Sequence, residues 1–600
     1  MPRPSRPARR RPLPRATTQK EEPTQEARAA DAAKIAAEER RTLIRRLRIL
    51  ASLFVLFILV VLAQIVLAQF VNLADRPERV IAKTVDTSRG RIVDRNGTLL
   101  ATDSFVWEMY VDPSRYNPEK FPPEDAAAAA QQLGIDVEIL NAALVRAGTV
   151  AQLAKNISRE QCEAADNGSE VPNWIWCDGK RKRTYPQGGL AAHVIGFTDR
   201  DQKGLAGVEA FYEPWLRTDG AWGSDQLAGQ GEPIPHEWEL FLPSAGGRDV
   251  VLHLSAPLQY VAERKLLDAL GRYDASSGSI IVMDVRSGGV LALANWPAFD
   301  PNAYWDAEPH TWQNPAVGLL YEPGSVFKLV TYATALDTGI FSPDAQFNDT
   351  GEVIISGQAI RNSQLRKRGW VTGWQAFAES LNTISADISL QIGRESFYQY
   401  IRLFGFGRPT EIDLGPEAAG IVKRPDTGLW SQYDQAANSF GQGISVSPLQ
   451  MINAAAAVAN DGVLLQPQAA KALVYNGIMH ALPVRVHQQV IRPETAHTLA
   501  QMMVYTVDNY TSGKNLVPGY RVAGKTGTAE IPEQAGYTNP LTITSFVGFL
   551  PAADPQIVIL VKINEPRKSR WAEQVALPVF GEVAREAAQI LRLAPNTDMP

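Results

Sequence analysis

Residues 49–70 read ILASLFVLFILVVLAQIVLAQF and contain no charged side chain. An uncharged apolar run of that length is what a helix needs to cross a bilayer. Folded into a soluble domain, it would need burial on every face. A cleavable signal peptide is the alternative, with Val66-Leu67-Ala68 as a processing site, but the run is long for a signal core and a long tail precedes it. An uncleaved anchor is therefore expected. The cluster Arg45-Arg46-Leu47-Arg48 in front of it should stay in the cytoplasm, which puts the chain after residue 71 outside. Residues 1–48, rich in Arg, Pro and Ala and poor in bulky apolar side chains before Leu43, read as a mostly disordered basic tail.

The remaining length is ample for a large core. The whole chain of 600 residues is 45% hydrophobic and 20% charged, as folded proteins are. A formal net charge of −5 argues against a nucleic-acid partner. Two cysteines and seven scattered histidines form no metal-ligand pattern, so no metal is expected. Cys162 and Cys177 lie on the outer side of the membrane in this reading. A disulfide between them is open in an oxidising compartment, and two thiols are the alternative.

Residues 72–250 show no strong period. Arg89-Gly90-Arg91-Ile92-Val93-Asp94-Arg95-Asn96-Gly97 reads as a strand entering an Asn-Gly turn, residues 124–147 as two helical stretches, and residues 166–190 as loop. From about residue 250 the pattern becomes regular. It predicts a helix over Ala256–Leu270, a hairpin of Ser279–Asp284 with Val290–Ala294, and helices between 324 and 460. Strands follow at 520–530, 542–550 and 556–563, and a helix at 575–592. The predicted class is α+β: an antiparallel sheet packed with a helical cluster.

Within that frame, Pro323-Gly324 breaks the chain just before Ser325, and Val326, Leu329, Val330, Ala333 and Leu336 follow at helical spacing. Ser325 is thus placed at a helix N-terminus, with Lys328 one turn on along the same face. A serine hydroxyl needs an adjacent base to act as a nucleophile. A lysine among apolar neighbours loses solvation, which favours its neutral, basic form. Ser-x-x-Lys alone means little, since composition yields it roughly once in a chain of this size. Two further segments give it weight. Ser380-Leu381-Asn382 offers a hydroxyl to relay a proton and a carboxamide to hold an amide. Lys525-Thr526-Gly527-Thr528 reads as an edge strand, with Lys525 and Thr526 able to hold a carboxylate, Gly527 admitting close approach of a substrate backbone, and the Thr528 N–H serving an oxyanion hole.

This ordered set, Ser-x-x-Lys, Ser-x-Asn, Lys-Thr-Gly, is found in penicillin-binding proteins and serine β-lactamases. The chain resembles a class B, monofunctional penicillin-binding protein over nearly everything after residue 80. Arg89-Gly90-x-Ile92-x-Asp94-Arg95-Asn96-Gly97 is similar to the opening motif of that family's pedestal, or dimerisation, domain. Arg183-x-Tyr185-Pro186, Ala192–Gly196 and Gly204–Glu209 are similar to later pedestal motifs. Asp284, Pro297, Asp300-Pro301-Asn302, Ser439-Phe440-Gly441-Gln442-Gly443 and Pro448-Leu449-Gln450 are similar to stretches of its transpeptidase domain. The resemblance implies a tail at 1–48, an anchor at 49–70, an elongated pedestal at 71–250 and a serine β-lactamase-like transpeptidase domain at 251–600. It implies acylation of Ser325 by the D-Ala-D-Ala end of a peptidoglycan stem peptide, or by a β-lactam. Lys328 would take the proton, and Ser380, with Lys525, would pass one to the leaving D-alanine. Asn382 would bind the substrate amide, Lys525, Thr526 and Thr528 the carboxylate, and the N–H groups of Ser325 and Thr528 the oxyanion. No cofactor is implied.

Tyr321-Glu322-Pro323 and the Lys-Thr-Gly-Thr-Ala form lean toward the family's septal rather than elongation subtype, which implies a polytopic lipid-II polymerase as partner through anchor and pedestal. Lys514-Asn515 departs from the family, and the Cys162–Cys177 stretch with Trp174 and Trp176 matches nothing in it. The pedestal lacks the paired acidic motif of a glycosyltransferase, so a bifunctional enzyme is not expected. A hydrolytic outcome, as in a D,D-carboxypeptidase or β-lactamase, shares the same acylation step. A β-lactam sensor or division scaffold is the non-enzymatic reading.

Overall fold

The computed structural model describes residues 89–120, 122–145, 150–167, 174–217, 248–428, 430–475, 477–531 and 541–595. The basic tail and the apolar run at 49–70 lie outside them. Among the described residues no helix is long and apolar enough to cross a membrane.

The centre of the molecule is a five-stranded antiparallel sheet in the order Ala523–Glu530, Thr542–Leu550, Ile557–Asn564, Ser277–Asp284, Val290–Trp296. Strand period explains how it is buried on both faces. Along Ile557–Asn564, Ile557, Ile559, Val561 and Ile563 pack with the helices Ala256–Tyr273 and Ala576–Ile590. The alternate Val558 and Leu560 face the opposite layer, with Val326, Leu449 and Ile452. In that layer the helix Pro448–Ala459 is buried all round, with every one of its residues in the core. Its two polar side chains, Gln450 and Asn453, are hydrogen-bonded to backbone carbonyls, so the helix can be buried on every face. The helix Lys328–Asp337 packs in the same layer. The expected hairpin, the three C-terminal strands and the helices around them are present, with the Lys525 strand at the sheet edge.

A second sheet runs in the order Ile478–Ala481, Ala470–Tyr475, Asp249–Leu252, Ile92–Val93, Leu99–Val111, Ala151–Ile157, with Ile175–Thr184 also on Leu99–Val111. It crosses position 250, because two of its strands come from the 470–481 segment. The loop expected over 166–190 is corrected here: Ile175–Thr184 is a strand paired with Leu99–Val111 from Thr102↔Thr184 to Val111↔Ile175. Its charged side chains hid it from a reading based on hydrophobic alternation. They are held across the strands instead, as in Lys180 Nζ to Glu108 Oε2 at 2.8 Å, and Trp176 stacks on Tyr110.

The scattered pedestal motifs meet in one buried ion network. Arg89 Nε lies 2.7 Å from Glu209 Oε2 and Arg183 Nε 2.6 Å from Glu209 Oε1, while Arg183 Nη1 reaches Asp103 Oδ1 at 3.1 Å. Buried charges persist only when paired in this way. Asp94 binds the two segments: Oδ1 accepts from Asn96 and Thr98 N, and Oδ2 accepts from the backbone N of Ala256, the first residue of its helix. Cys162 is buried on the helix Arg159–Asn167, and Cys177 is half-buried on the strand Ile175–Thr184.

Candidate active site

The turn that carries Ser325, the candidate nucleophile, is clamped from two sides. Gly324–Phe327 forms one 3-10 turn that runs into the helix Lys328–Asp337, so Ser325 sits just ahead of the α-helix, half-buried. On one side the Ser439–Gly443 motif braces it. Gly324 N donates to Gly441 O at 3.1 Å, Gly443 N to Glu322 Oε1 at 2.9 Å, and Thr331 Oγ1 to Ser439 O at 2.7 Å. Gly441 has φ +80°, and a Cβ there would stand 2.2 Å from Gly324 O. On the other side lies the Lys525 strand. A Cβ on Gly527 would meet Val326 Cγ1 at 2.9 Å and Pro323 O at 3.1 Å. The nearest atom to such a Cβ is Ser545 Oγ at 2.7 Å, so the missing side chain of Gly527 lets the strand pack against the serine turn and its neighbour strand.

Lys328 is fully buried, and among the described residues its Nζ has no carboxylate partner. It lies 2.5 Å from Ser380 O, 2.8 Å from Asn382 Oδ1 and 3.0 Å from Ser380 Oγ. Burial, and next the charge of Lys525, push its pKa well below the ordinary lysine value. A neutral amine has two hydrogens and one lone pair. The two acceptor-only oxygens, Ser380 O and Asn382 Oδ1, take the hydrogens. Ser380 Oγ, at 3.0 Å, accepts from Nζ, and in the neutral form the lone pair is open to an O–H donor. The Ser325 hydroxyl takes part in no hydrogen bond among the described residues, so it is uncommitted.

Ser380 pays a conformational cost to be there. The helix Gly373–Ala378 ends in a Schellman turn, with Leu381 N donating to Ala376 O and Ser380 N to Phe377 O, both at 3.1 Å. This motif puts Ser380 at φ +59°, a position that favours glycine. A side chain in that region costs about 1–2 kcal/mol. In return, both the hydroxyl and the carbonyl of one residue reach Lys328. Asn382 begins the next helix, Asn382–Ile392, and is fixed at three points: Oδ1 by Lys328, Nδ2 donating to Arg361 O at 2.9 Å, and N donating to Asn362 Oδ1 at 2.7 Å.

Lys525 is also fully buried. Its Nζ donates to Thr526 O at 3.2 Å and lies 5.8 Å from the Phe377 ring centroid. Burial lowers its pKa to about 7. The charge balance thus separates two buried lysines: a charged Lys525 helps keep Lys328 neutral, and an arriving carboxylate would favour the charged form of Lys525. Thr526 and Thr528 are half-exposed on the same edge strand, with Thr528 Oγ1 accepting from Ala572 N at 3.1 Å. The structure brings Lys328 to Ser380 and Asn382 and packs the Lys525 strand against the turn of Ser325. Sequence reasoning missed the glycine clamp and a third buried lysine, Lys562. Its Nζ donates to Asn564 Oδ1 at 2.6 Å and lies 4.7 Å from the Tyr321 ring centroid. Nothing in an apolar strand sequence marks such a lysine as inward-facing except its register opposite Ser545.

Comparison with known proteins agrees with this arrangement. Residues 278–585 match the family model of the penicillin binding protein transpeptidase domain, and residues 84–252 that of the penicillin-binding protein dimerisation domain. Stage V sporulation protein D of Bacillus subtilis is 30% identical over 85% of this chain and 79% of its own. The probable peptidoglycan D,D-transpeptidase PenA of Neisseria meningitidis is 29% identical over 86% of this chain and 87% of its own. Among solved structures, penicillin binding protein 3 of Mycobacterium tuberculosis in complex with aztreonam superposes with a TM-score of 0.64 at 27% identity, covering 85% of this chain and 97% of that one.

Proposed function

We propose that this chain, which belongs to the class B penicillin-binding protein transpeptidase family, cross-links peptidoglycan stem peptides through an acyl-enzyme on Ser325 and is blocked by β-lactams at the same oxygen. The observation that carries the residue assignment is the buried Lys328 amine, which has no salt-bridge partner among the described residues and is held one turn from Ser325 by Ser380 O, Ser380 Oγ and Asn382 Oδ1. Ser325 Oγ attacks the carbonyl carbon of the penultimate D-alanine as Lys328 takes the hydroxyl proton. The N–H groups of Ser325 and Thr528 hold the oxyanion. The C–N bond to the terminal D-alanine breaks, and that amine receives a proton from the Ser380 hydroxyl, which Lys328 replenishes. Lys525, Thr526 and Thr528 hold the departing carboxylate. An amine of a second stem then attacks the ester, and its proton returns by the same route to Ser325 Oγ.

Transfer and hydrolysis separate after acylation. A donor peptide ending in D-Ala-D-Ala, supplied with an acceptor amine, is expected to give the amide product. Release of the shortened acid alone, at every acceptor concentration, would favour the carboxypeptidase reading instead. The apolar run at 49–70 supports a single-pass anchor with the N-terminus in the cytoplasm and the catalytic part outside. A polytopic lipid-II polymerase is the proposed partner of anchor and pedestal. Tyr321-Glu322-Pro323 and Lys-Thr-Gly-Thr-Ala support a septal role, which depletion in the native host tests: filaments support it, and rounded cells favour elongation.

A further inference from the structure

The sequence between the nucleophile helix and Ser380 contains an exposed basic stretch, Arg361-Asn362-Ser363-Gln364-Leu365-Arg366-Lys367-Arg368-Gly369-Trp370, that the catalytic assignment does not use. It is tied directly to the catalytic wall. Arg361 O accepts from Asn382 Nδ2, whose own Oδ1 accepts from Lys328 Nζ. Asn362 Oδ1 accepts from the backbone N of Asn382. The fully buried Asp349 carboxylate locks the far end: it accepts from Asn362 Nδ2 and Thr383 Oγ1 at 2.7 Å each, and from Arg368 N at 2.8 Å. The stretch is therefore fixed to the active site at both ends.

Its charge is only partly compensated. Arg361 pairs with Glu352 at 2.7 Å, and Arg368 pairs with Glu379. Arg366 is oriented by Gln364 Oε1 at 2.8 Å, and neither it nor Lys367 has a carboxylate within salt-bridge distance among the described residues. Beside these two cations Leu365 and Trp370 are 74% and 71% exposed. A surface that joins unpaired cations to bare apolar side chains fits a peptide that carries carboxylates on a short aliphatic backbone.

The direction of the proposed reaction says which peptide. The acceptor amine must take the place vacated by the leaving amine, beside the carboxylate pocket of the Lys525 strand. The acylated part of the donor then runs the other way, past Asn382. We infer that Arg366 and Lys367, on the rim that begins at Arg361, form a recognition site for carboxylates of the donor stem upstream of its reactive D-alanine. This rests on the Ser325 reading above.

The test uses the full-length chain in detergent with two synthetic pentapeptides ending in D-Ala-D-Ala, one with free upstream carboxylates and one with them amidated. The wild type is expected to be acylated about threefold to tenfold faster, as kcat/KM, by the acidic peptide, a preference that falls with added salt. The double variant Arg366→Gln, Lys367→Gln should lose most of that preference, and Arg366→Lys should retain most of it. Equal loss on both peptides, no loss on either, or a variant that loses binding only to anionic lipid vesicles would overturn the proposal. Fluorescent penicillin on the wild type separates the two levels: failure to label Ser325 would count against the active-site reading and not against this rim.

Discussion

At the scale of single residues, the account rests on three hydrogen-bonding groups around one amine. Ser-x-x-Lys, Ser-x-Asn and Lys-Thr-Gly were legible because each is a short pattern with a chemical reason for its residue types. What the sequence did not carry is that Ser380 holds Lys328 by its carbonyl as well as its hydroxyl, since that follows from a left-handed φ at a helix end. Ser380→Gly keeps the carbonyl and removes both the strain and the hydroxyl. Thermal unfolding should show unchanged stability or a gain of up to about 1 kcal/mol, while acylation slows about 10²-fold or more. A clear loss of stability would contradict the strain argument. Lys525 sets the pH dependence. With its pKa lowered to about 7 by burial, the free enzyme loses the cation that receives the substrate carboxylate as pH rises through that value. The kcat/KM for acylation should therefore fall on its alkaline side with a midpoint near 7, and a carboxylate-bound complex should hold the proton to higher pH. A flat profile to pH 9 would contradict this.

At the scale of elements, short continuous apolar runs and helical patterns disclosed the central sheet and its helices, because both faces of those strands are apolar. The strand Ile175–Thr184 escaped because its partner, not its own pattern, defines it. The Ser439–Gly443 motif was visible, but its purpose was not, since only the fold brings Gly441 against Gly324. Gly441→Ala and Gly339→Ala make a matched pair. Both have positive φ, +80° and +75°, yet a Cβ at Gly339 meets nothing within 4 Å. Gly339→Ala should cost about 1 kcal/mol from backbone strain alone. Gly441→Ala should cost about 1–3 kcal/mol more and slow penicillin acylation, because relief of the clash must move the serine turn. Equal effects would show that the clamp does not position Ser325. In the same way, Cys162 and Cys177 sit on a helix and a strand of one small subdomain. If an oxidising compartment bridges them, as we propose, alkylation before reduction leaves the intact mass of protein from the native host unchanged. Two alkyl additions would rule the bridge out.

At the scale of the whole molecule, motifs far apart in sequence converge. Arg89, Arg183 and Glu209 form one buried network, and residues 249–252 and 470–481 share a sheet with the first strands of the pedestal. Strand partners are chosen by register and burial rather than by order along the chain, so the sheet of the first pedestal strands runs across position 250. The proposed catalytic and binding residues are likewise spread from 325 to 528 and come together only through the sheet edge and the helical layer against it. The most direct measurement of this convergence is peptide mapping by mass spectrometry after incubation of the full-length chain with benzylpenicillin. The account predicts one penicilloyl adduct, on the peptide that contains Ser325, and none in Ser325→Ala. An adduct on a different residue, or equal labelling of the variant, would contradict it.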